Sequence, residues 1–302
     1  MTSATLEHTE ATPAQLPFAL PLPRHVRVVD PPRASVLRAV AVSWQYRAAW
    51  PYFARLYARR GYGGMFLGIT WLFLRPAIPL ALQTLIYGGV FKVTTGSTPY
   101  YIWITVTSAS WQLFSHTAYY STRSLEFAKK ILRRMYVPRL LVISAVPTKG
   151  FQMLGIHLVF TVGGLIYYVF ARGHFYLHLR LASLLALPGF IVIALLGLTV
   201  GLWTASISPK ARDIRFTVSY FLGFWYFLTP VIYPVSRIPA GWRFLASLNP
   251  VTAPIELVKY AVFNQGTLTP TAFAVTGGYL LVVGGGGLLF FLRREQQALE
   301  DF

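Results

Sequence analysis

The sequence contains no cysteine, which excludes disulfides, thiolate metal sites and cysteine nucleophiles. Acid is nearly as scarce. Of nine aspartates and glutamates, six lie near the two ends, leaving only Glu126, Asp213 and Glu256 in the apolar body. A membrane-embedded glycosyltransferase or polymerase needs catalytic carboxylates near an interface, so an enzyme has little to work with. No GxxxxGK[ST] phosphate loop occurs, and the six histidines lack metal-ligand spacing such as HExxH, so no cofactor or metal is expected in this chain. Internal repeats are missing too, which counts against a secondary transporter.

Apolar residues dominate instead. The 302-residue chain is 55% hydrophobic with a mean hydropathy of +0.53, and charged residues make up 12%, against about 25% in an average soluble domain. This is the composition of an integral membrane protein. The net charge of +18 does not point to nucleic acid, because the cations flank the apolar runs and form no base-reading helix.

Residues 1–37 are proline-rich without the apolar core of a signal peptide and are predicted to form a disordered tail. Residues 38–62 place Val42, Tyr46, Trp50, Phe53 and Leu56/Tyr57 on one side, with Pro51 opening a second short helix, so interfacial amphipathic helices are predicted. A span needs about 20 apolar residues. Six segments qualify within 63–292: Met65–Phe91, Tyr100–Thr122, Leu140–Phe170, Leu181–Ser206, Phe216–Val235 and Thr271–Leu292, followed by a tail over 293–302. Lys and Arg number nineteen on one set of alternating sides against six on the other. The positive-inside rule therefore puts both termini in the cytoplasm.

Between the second and third spans lies a basic elbow, Arg123–Arg139. At helical spacing Leu125, Ala128, Leu132 and Met135 form an apolar stripe, Lys129, Lys130, Arg133 and Arg134 face away, and Glu126 is expected to pair with Lys130. Such a segment suits either a cytoplasmic partner or anionic lipid. Between spans five and six, Val251–Phe263 is too short to cross and is bracketed by prolines, so a re-entrant element dipping back from outside is predicted. Glu256 and Lys259 on it share a face and are expected to neutralise one another. The run Gly284–Gly287 reads as a close helix-packing surface.

Four landmarks in order carry a resemblance: Ala58–Pro76 (ARRGYGGMFLGITWLFLRP), the elbow ending in Tyr136–Arg139 (YVPR), Ser208–Arg215 (SPKARDIR), and Leu228–Pro234 (LTPVIYP) followed by Leu248–Tyr260 (LNPVTAPIELVKY). Over residues 55 to 292 the chain resembles the membrane subunit of type-2 ABC exporters, particularly bacterial exporters of polysaccharide and lipid-linked glycan. The resemblance implies a homodimer of six-span all-α permeases in the bacterial plasma membrane. Each copy would bind a separate nucleotide-binding subunit that carries the ATP and Mg²⁺. It makes the elbow a coupling helix through Arg123, Glu126, Lys129, Lys130, Arg133 and Arg134, with a second contact through Lys210, Arg212 and Asp213, unless Arg212 and Asp213 simply pair locally.

The implied cargo is a polyprenyl-diphosphate-linked glycan such as O-antigen, capsule or a teichoic-acid-like polymer; a drug or small lipid would use the same skeleton. Sugar rings stack on aromatic planes, so Trp71, Tyr87, Trp103, Trp111, Phe114, Tyr119, Tyr120, Tyr220, Phe224 and Trp225 are candidate channel residues. The second span also carries Thr105, Thr107, Ser108, Ser110, Gln112, Ser115, His116 and Thr117 without a charge; it faces either a wet channel or neighbouring helices through hydrogen bonds. Arg55, Arg59, Arg60 and Arg75 are candidate first contacts for the diphosphate, with lipid phosphates the competing role for the first three and a carbonyl or Glu256 the competing partner of Arg75. Lys149 is expected to snorkel to the inner surface. Pro230, Asn249, Pro250, Glu256 and Lys259 mark the re-entrant element.

Overall fold

The computed structural model describes residues 36–60, 68–178, 180–208, 211 and 213–297, with side chains through Arg294. Residues 1–35 of the predicted N-terminal tail, the start of the first span, and Lys210 and Arg212 lie outside the described residues, while the last two residues of that tail, Val36 and Leu37, already belong to the first helix. Among the described residues the chain forms thirteen α-helices and no strand.

Helices α1 (Val36–Gln45) and α2 (Trp50–Arg59) precede the membrane body, and Pro51 sits in the first turn of α2, where its missing N–H is harmless. Phe53, Ala54 and Tyr57 are the buried face of α2, whereas Trp44 and Tyr52 stay exposed. The Tyr57 hydroxyl donates to the Ser124 carbonyl at 3.3 Å, tying α2 to the start of the elbow.

Helix α3 (Thr70–Gln83) continues into a π-helical segment, Thr84–Val90. Pro76 and Pro79 inside α3 cannot donate to the carbonyls of Leu72 and Arg75, one turn earlier. Helix α4 (Tyr100–Thr122) is buried along most of its length and packs between α7 (Pro147–Arg172) and α8 (Ala186–Thr204). The elbow helix α5 (Ser124–Leu132) and the short α6 (Arg139–Ser144) connect α4 to α7. The third predicted span is thus two helices, because Pro147 opens a new one. Among the described residues, three stretches are long and apolar enough to cross a bilayer by length and composition: Arg139–Arg172, Leu181–Thr204 and Pro270–Arg294.

Helix α9 (Asp213–Leu228) has 16 residues, beginning before the predicted fifth span and stopping short of its end. The stop follows from Pro230, which disfavours helical backbone at Thr229. After α9 come α10 (Arg243–Leu248) and the buried α11 (Thr252–Phe263), then α12 (Pro270–Gly278), a π segment Tyr279–Gly284, and α13 (Gly285–Gln297). Helix α11, at the place predicted for the re-entrant element, packs on α8 and α4.

The neighbours of α4 approach it closely through glycine. A Cβ on Gly201 of α8 would overlap the side chain of Ser121, and one on Gly150 of α7 would overlap Thr117. In a membrane such contacts supply much of the helix association, since lipid competes for apolar side chains. Gly201→Ala is therefore expected to cost about 1–3 kcal/mol by overpacking. Gly277→Ala, with nothing within 4 Å, is expected to leave stability near wild type; thermal melts of both variants in detergent test the contrast. Of the glycine run, Gly284 and Gly287 meet Thr199 and Trp203 of α8, and the Trp203 indole donates to the Val283 carbonyl at 2.9 Å.

Candidate substrate cavities and coupling elbow

Two cavities adjoin one another on one side of α4. The larger, about 550 Å³, lies between α3, α4 and α9. The smaller, about 120 Å³, reaches toward the end of α2 and is closed by α7. Arg75, Pro76, Gln112, His116, Tyr120 and His157 line both. On α4 the lining residues Ser108, Trp111, Gln112, Ser115, His116 and Tyr119 recur at steps of three and four, which is one helix face.

The polar residues of α4 divide between two roles. Thr105, Thr107, Ser110 and Thr122 hydrogen-bond carbonyls of their own helix, and Thr107 also reaches the Val231 carbonyl at 2.9 Å. Those positions join or bury helices. Gln112, Ser115 and His116 instead face the cavity. From α3, Gln83 donates to the Tyr226 hydroxyl at 2.9 Å and so bridges α3 to α9 at the cavity wall.

Of the aromatics singled out from sequence, Trp111, Tyr119 and Tyr120 line the larger cavity, and Trp71 lines the smaller with Tyr120. Trp103 and Phe114 do not: each is 1% exposed, Trp103 under the Lys259 ammonium of α11 and Phe114 against the Trp225 ring of α9. Tyr87 packs against Phe91, outside both cavities. Tyr220 and Phe224 project from an exposed face of α9. Trp225 donates to Asn249 at 3.1 Å and borders a separate cavity of about 680 Å³ beneath α10.

Among the cations, Arg55 and Arg59 are exposed on α2, while Arg60 lines the smaller cavity and Arg75 lines both. Arg75 lies 5.7 Å over the Trp71 ring. Glu256 is not its partner, being held elsewhere by Lys259. Lys149 does not snorkel: it is 2% exposed. Its ammonium donates to the carbonyls of Ala58 at 3.3 Å and Arg60 at 2.9 Å and to Gln152 at 3.0 Å, capping the C-terminal end of α2.

On α11, Lys259 meets Glu256 at 2.6 Å and also donates to the Pro230 carbonyl at 2.6 Å, while the second Glu256 oxygen accepts the Thr267 N–H at 2.8 Å. Asn249 accepts from Trp225 and donates to Thr229, and the Pro250 carbonyl accepts from Thr276. The proline-broken backbone is thereby satisfied from within the protein.

The elbow presents Lys129, Lys130, Arg133 and Arg134 on its exposed side. Its helix ends at Leu132, so Met135 falls outside the apolar stripe and is exposed, leaving Leu125 and Ala128 as its buried members. Glu126 does not pair with Lys130. It binds Arg123 through both oxygens at 3.2 Å and Arg215 of α9 at 2.7 Å. Burial alone would raise the Glu126 carboxyl, but the Arg123 hydrogen bonds and charge, joined by those of Arg215, outweigh it and hold the group below its ordinary value. Phe127 lies between two guanidiniums, Arg60 at 4.7 Å and Arg123 at 4.6 Å. Asp213 opens the first turn of α9, where a negative charge suits the helix dipole.

Sequence reasoning passed over Phe127, Gln83 and His157, and it placed Arg215 only within the Ser208–Arg215 landmark, without its partner Glu126. The Glu126 that Arg215 meets and the Arg60 beside Phe127 come from distant parts of the chain, and a lone histidine in an apolar helix gives no sign of the cavity beside it.

The chain is similar to proteins named O-antigen export system permease protein RfbA. The match to that of Myxococcus xanthus is 25% identical over 225 residues, covering 72% of this chain and 81% of the relative. One from Klebsiella pneumoniae is 26% identical over 213 residues, covering 68% and 76%. The family model described as ABC-2 type transporter matches residues 53–263, from the buried face of α2 to the last residue of α11, and so takes in both cavities, the elbow and the Glu256–Lys259 pair. The chain belongs to the ABC-2 type transporter family.

Proposed function

We propose that this protein is the permease subunit of an ATP-driven exporter that moves a polyprenyl-diphosphate-linked polysaccharide outward across the bacterial plasma membrane. The observation that carries the reading is the paired cavity, where aromatic planes (Trp71, Trp111, Tyr119, Tyr120) stand beside guanidinium groups (Arg60, Arg75). A sugar offers an apolar face to the first set and a diphosphate offers oxygens to the second. The relatives' printed name, an O-antigen export permease, agrees with that cargo.

In this reading the permease has six spans with both termini in the cytoplasm and works as a homodimer. The exposed aromatic face of α9, with Tyr220 71% and Phe224 70% exposed, turns toward the second copy and the channel between them. Two nucleotide-binding subunits hold ATP and Mg²⁺ and dock on the elbows. ATP-driven closure brings the elbows together, and Glu126, gripping both Arg123 and Arg215, passes that movement to α9.

Reconstitution of the permease with a partner ABC ATPase subunit tests the reading. ATP hydrolysis is expected to rise on adding a polyprenyl-diphosphate-linked glycan and to stay flat with hydrophobic drugs or phospholipid. Stimulation by drugs alone would replace the glycan with a small-molecule cargo.

A further inference from the structure

A third cavity, of about 680 Å³, lies beneath α10 at the end of α9 away from the elbow. Trp225 on its wall is ten residues beyond Arg215, the partner of Glu126, which is about 15 Å along a helix. Phe221 and Leu228 on the same wall stand about 80–100° round α9 from Tyr220, so this is not the face that the proposed function turns toward a second copy. Phe221, Leu228 and Trp242 are each more than half exposed. Exposed apolar side chains are ordinary in a membrane protein. A concave aromatic site with a few convergent polar groups is a ligand site, and this volume lies within the range of about 300–1,000 Å³ that such sites occupy.

The polar groups of the wall decide the kind of ligand. The Trp225 indole donates to Asn249 Oδ1 at 3.1 Å, the same oxygen accepts the Val251 N–H at 3.1 Å, and the Asn249 amide nitrogen donates to Thr229 at 2.8 Å. The Tyr233 hydroxyl donates to the Phe227 carbonyl at 2.8 Å. These groups are committed within the protein, so the wall offers rings and aliphatic carbon. A sugar would leave its rim of hydroxyls largely unmet there, whereas a hydrocarbon chain needs no partners. Charge is confined to the mouth. Residues 228–250 contain two arginines, Arg237 and Arg243, and no acid, and both arginines are exposed. Arg237, which lines the cavity, donates to the Thr94 hydroxyl, and Arg243 donates to the carbonyls of Ile238 at 2.9 Å and Ser236 at 3.1 Å. A guanidinium has five N–H groups, so both keep donors for oxygens from outside, and a phosphate suits that fork.

We infer that this cavity binds an anionic phospholipid of the leaflet opposite the elbow, with an acyl chain against the aromatic wall and the phosphate on Arg237 and Arg243. An apolar cavity with cations only at its mouth matches an amphiphile with anionic head and hydrocarbon tail. Phospholipid surrounds that end of the protein far in excess of any carrier lipid, so mass action fills the site with it. The inference rests on the proposed function only for calling that leaflet the outer one.

The test is tryptophan fluorescence of the detergent-purified full-length protein, titrated with phosphatidylglycerol or phosphatidylcholine carrying brominated acyl chains. Trp225 and Trp242 stand on the cavity wall, and bromine quenches an indole at contact. Wild type is expected to show quenching at low phosphatidylglycerol, part of it lost in Trp242→Phe, and to need at least about tenfold more phosphatidylcholine for the same effect. Arg237→Gln/Arg243→Gln is expected to move the phosphatidylglycerol midpoint about 10- to 30-fold toward that of phosphatidylcholine, at about 1 kcal/mol per basic residue. Arg237→Lys/Arg243→Lys keeps the charge and is expected to keep most of the preference, which preserves the test if the glutamine variant folds poorly. Equal midpoints for the two lipids, unmoved by the arginine variants, overturn the inference. Displacement of the brominated phosphatidylglycerol by farnesyl diphosphate at equal concentration overturns phospholipid as the occupant. Quenching of Trp242 in monomer but not in dimer overturns it as well, since a second copy would then cover the cavity. None of these outcomes bears on the glycan-stimulated hydrolysis that tests the proposed function.

Discussion

Replacing Lys259 by methionine is expected to lower stability by about 3–5 kcal/mol, the range for removing one partner of a buried ion pair. The change leaves Glu256 at the centre of packed protein with one oxygen on the Thr267 N–H and the other stripped of its 2.6 Å partner. It also frees the Pro230 carbonyl, which Lys259 satisfies at 2.6 Å, and removes the ammonium that lies 4.8 Å over the Trp103 ring. One side chain thus holds α11, the chain leaving α9, and α4. Glu256→Gln is expected to destabilise by the converse route, leaving a buried ammonium without its counter-charge. The double variant Lys259→Met/Glu256→Leu is expected to lie closer to wild type than either single change, because an apolar pair leaves no buried charge behind. Melting curves in detergent settle the matter: a Lys259→Met protein as stable as wild type would show that the pair contributes nothing.

That pair was legible in the sequence because Glu256 and Lys259 are three residues apart on one helix, and helical spacing brings such residues together. The outward side of the elbow was legible for the same reason. Where the partner comes from elsewhere in the chain, local periodicity misleads. Spacing assigned Glu126 to Lys130, but the tertiary fold brings in Arg215 of α9 and supplies Arg123 from the preceding turn. Lys149 followed a general rule for cations near a membrane surface, and the unsatisfied carbonyls at the end of α2 overrode it. The second span illustrates both sides. Its polar residues announced an unusual helix, yet their composition could not divide the buried ones from Gln112, Ser115 and His116 on the cavity face. The direction of that face became readable only once α7 and α8 had claimed the remainder of α4.

Reversing both Arg133 and Arg134 to glutamate is expected to abolish co-purification with the ATPase subunit, weakening the complex by a hundredfold or more. ABC-2 permeases act with an ABC ATPase, and the elbow, the proposed docking element, has an exposed cationic side whose acid, Glu126, is already taken by Arg123 and Arg215. A single exposed ion pair contributes only about 0.2–1 kcal/mol, so neutralising one arginine is expected to be mild. Reversal differs in kind, because it sets like charges against each other across an interface at several kcal/mol. The competing role, adhesion to anionic lipid, predicts a different pattern: both variants would keep the ATPase and lose only their preference for phosphatidylglycerol vesicles. Glu126→Gln completes the argument from the opposite direction. It leaves the exposed cations untouched but loosens the elbow from α9, so the complex is expected to assemble while glycan-stimulated hydrolysis falls. Assembly lost with the surface arginines, and stimulation lost with the half-buried Glu126 carboxylate, would separate docking from transmission within one short helix.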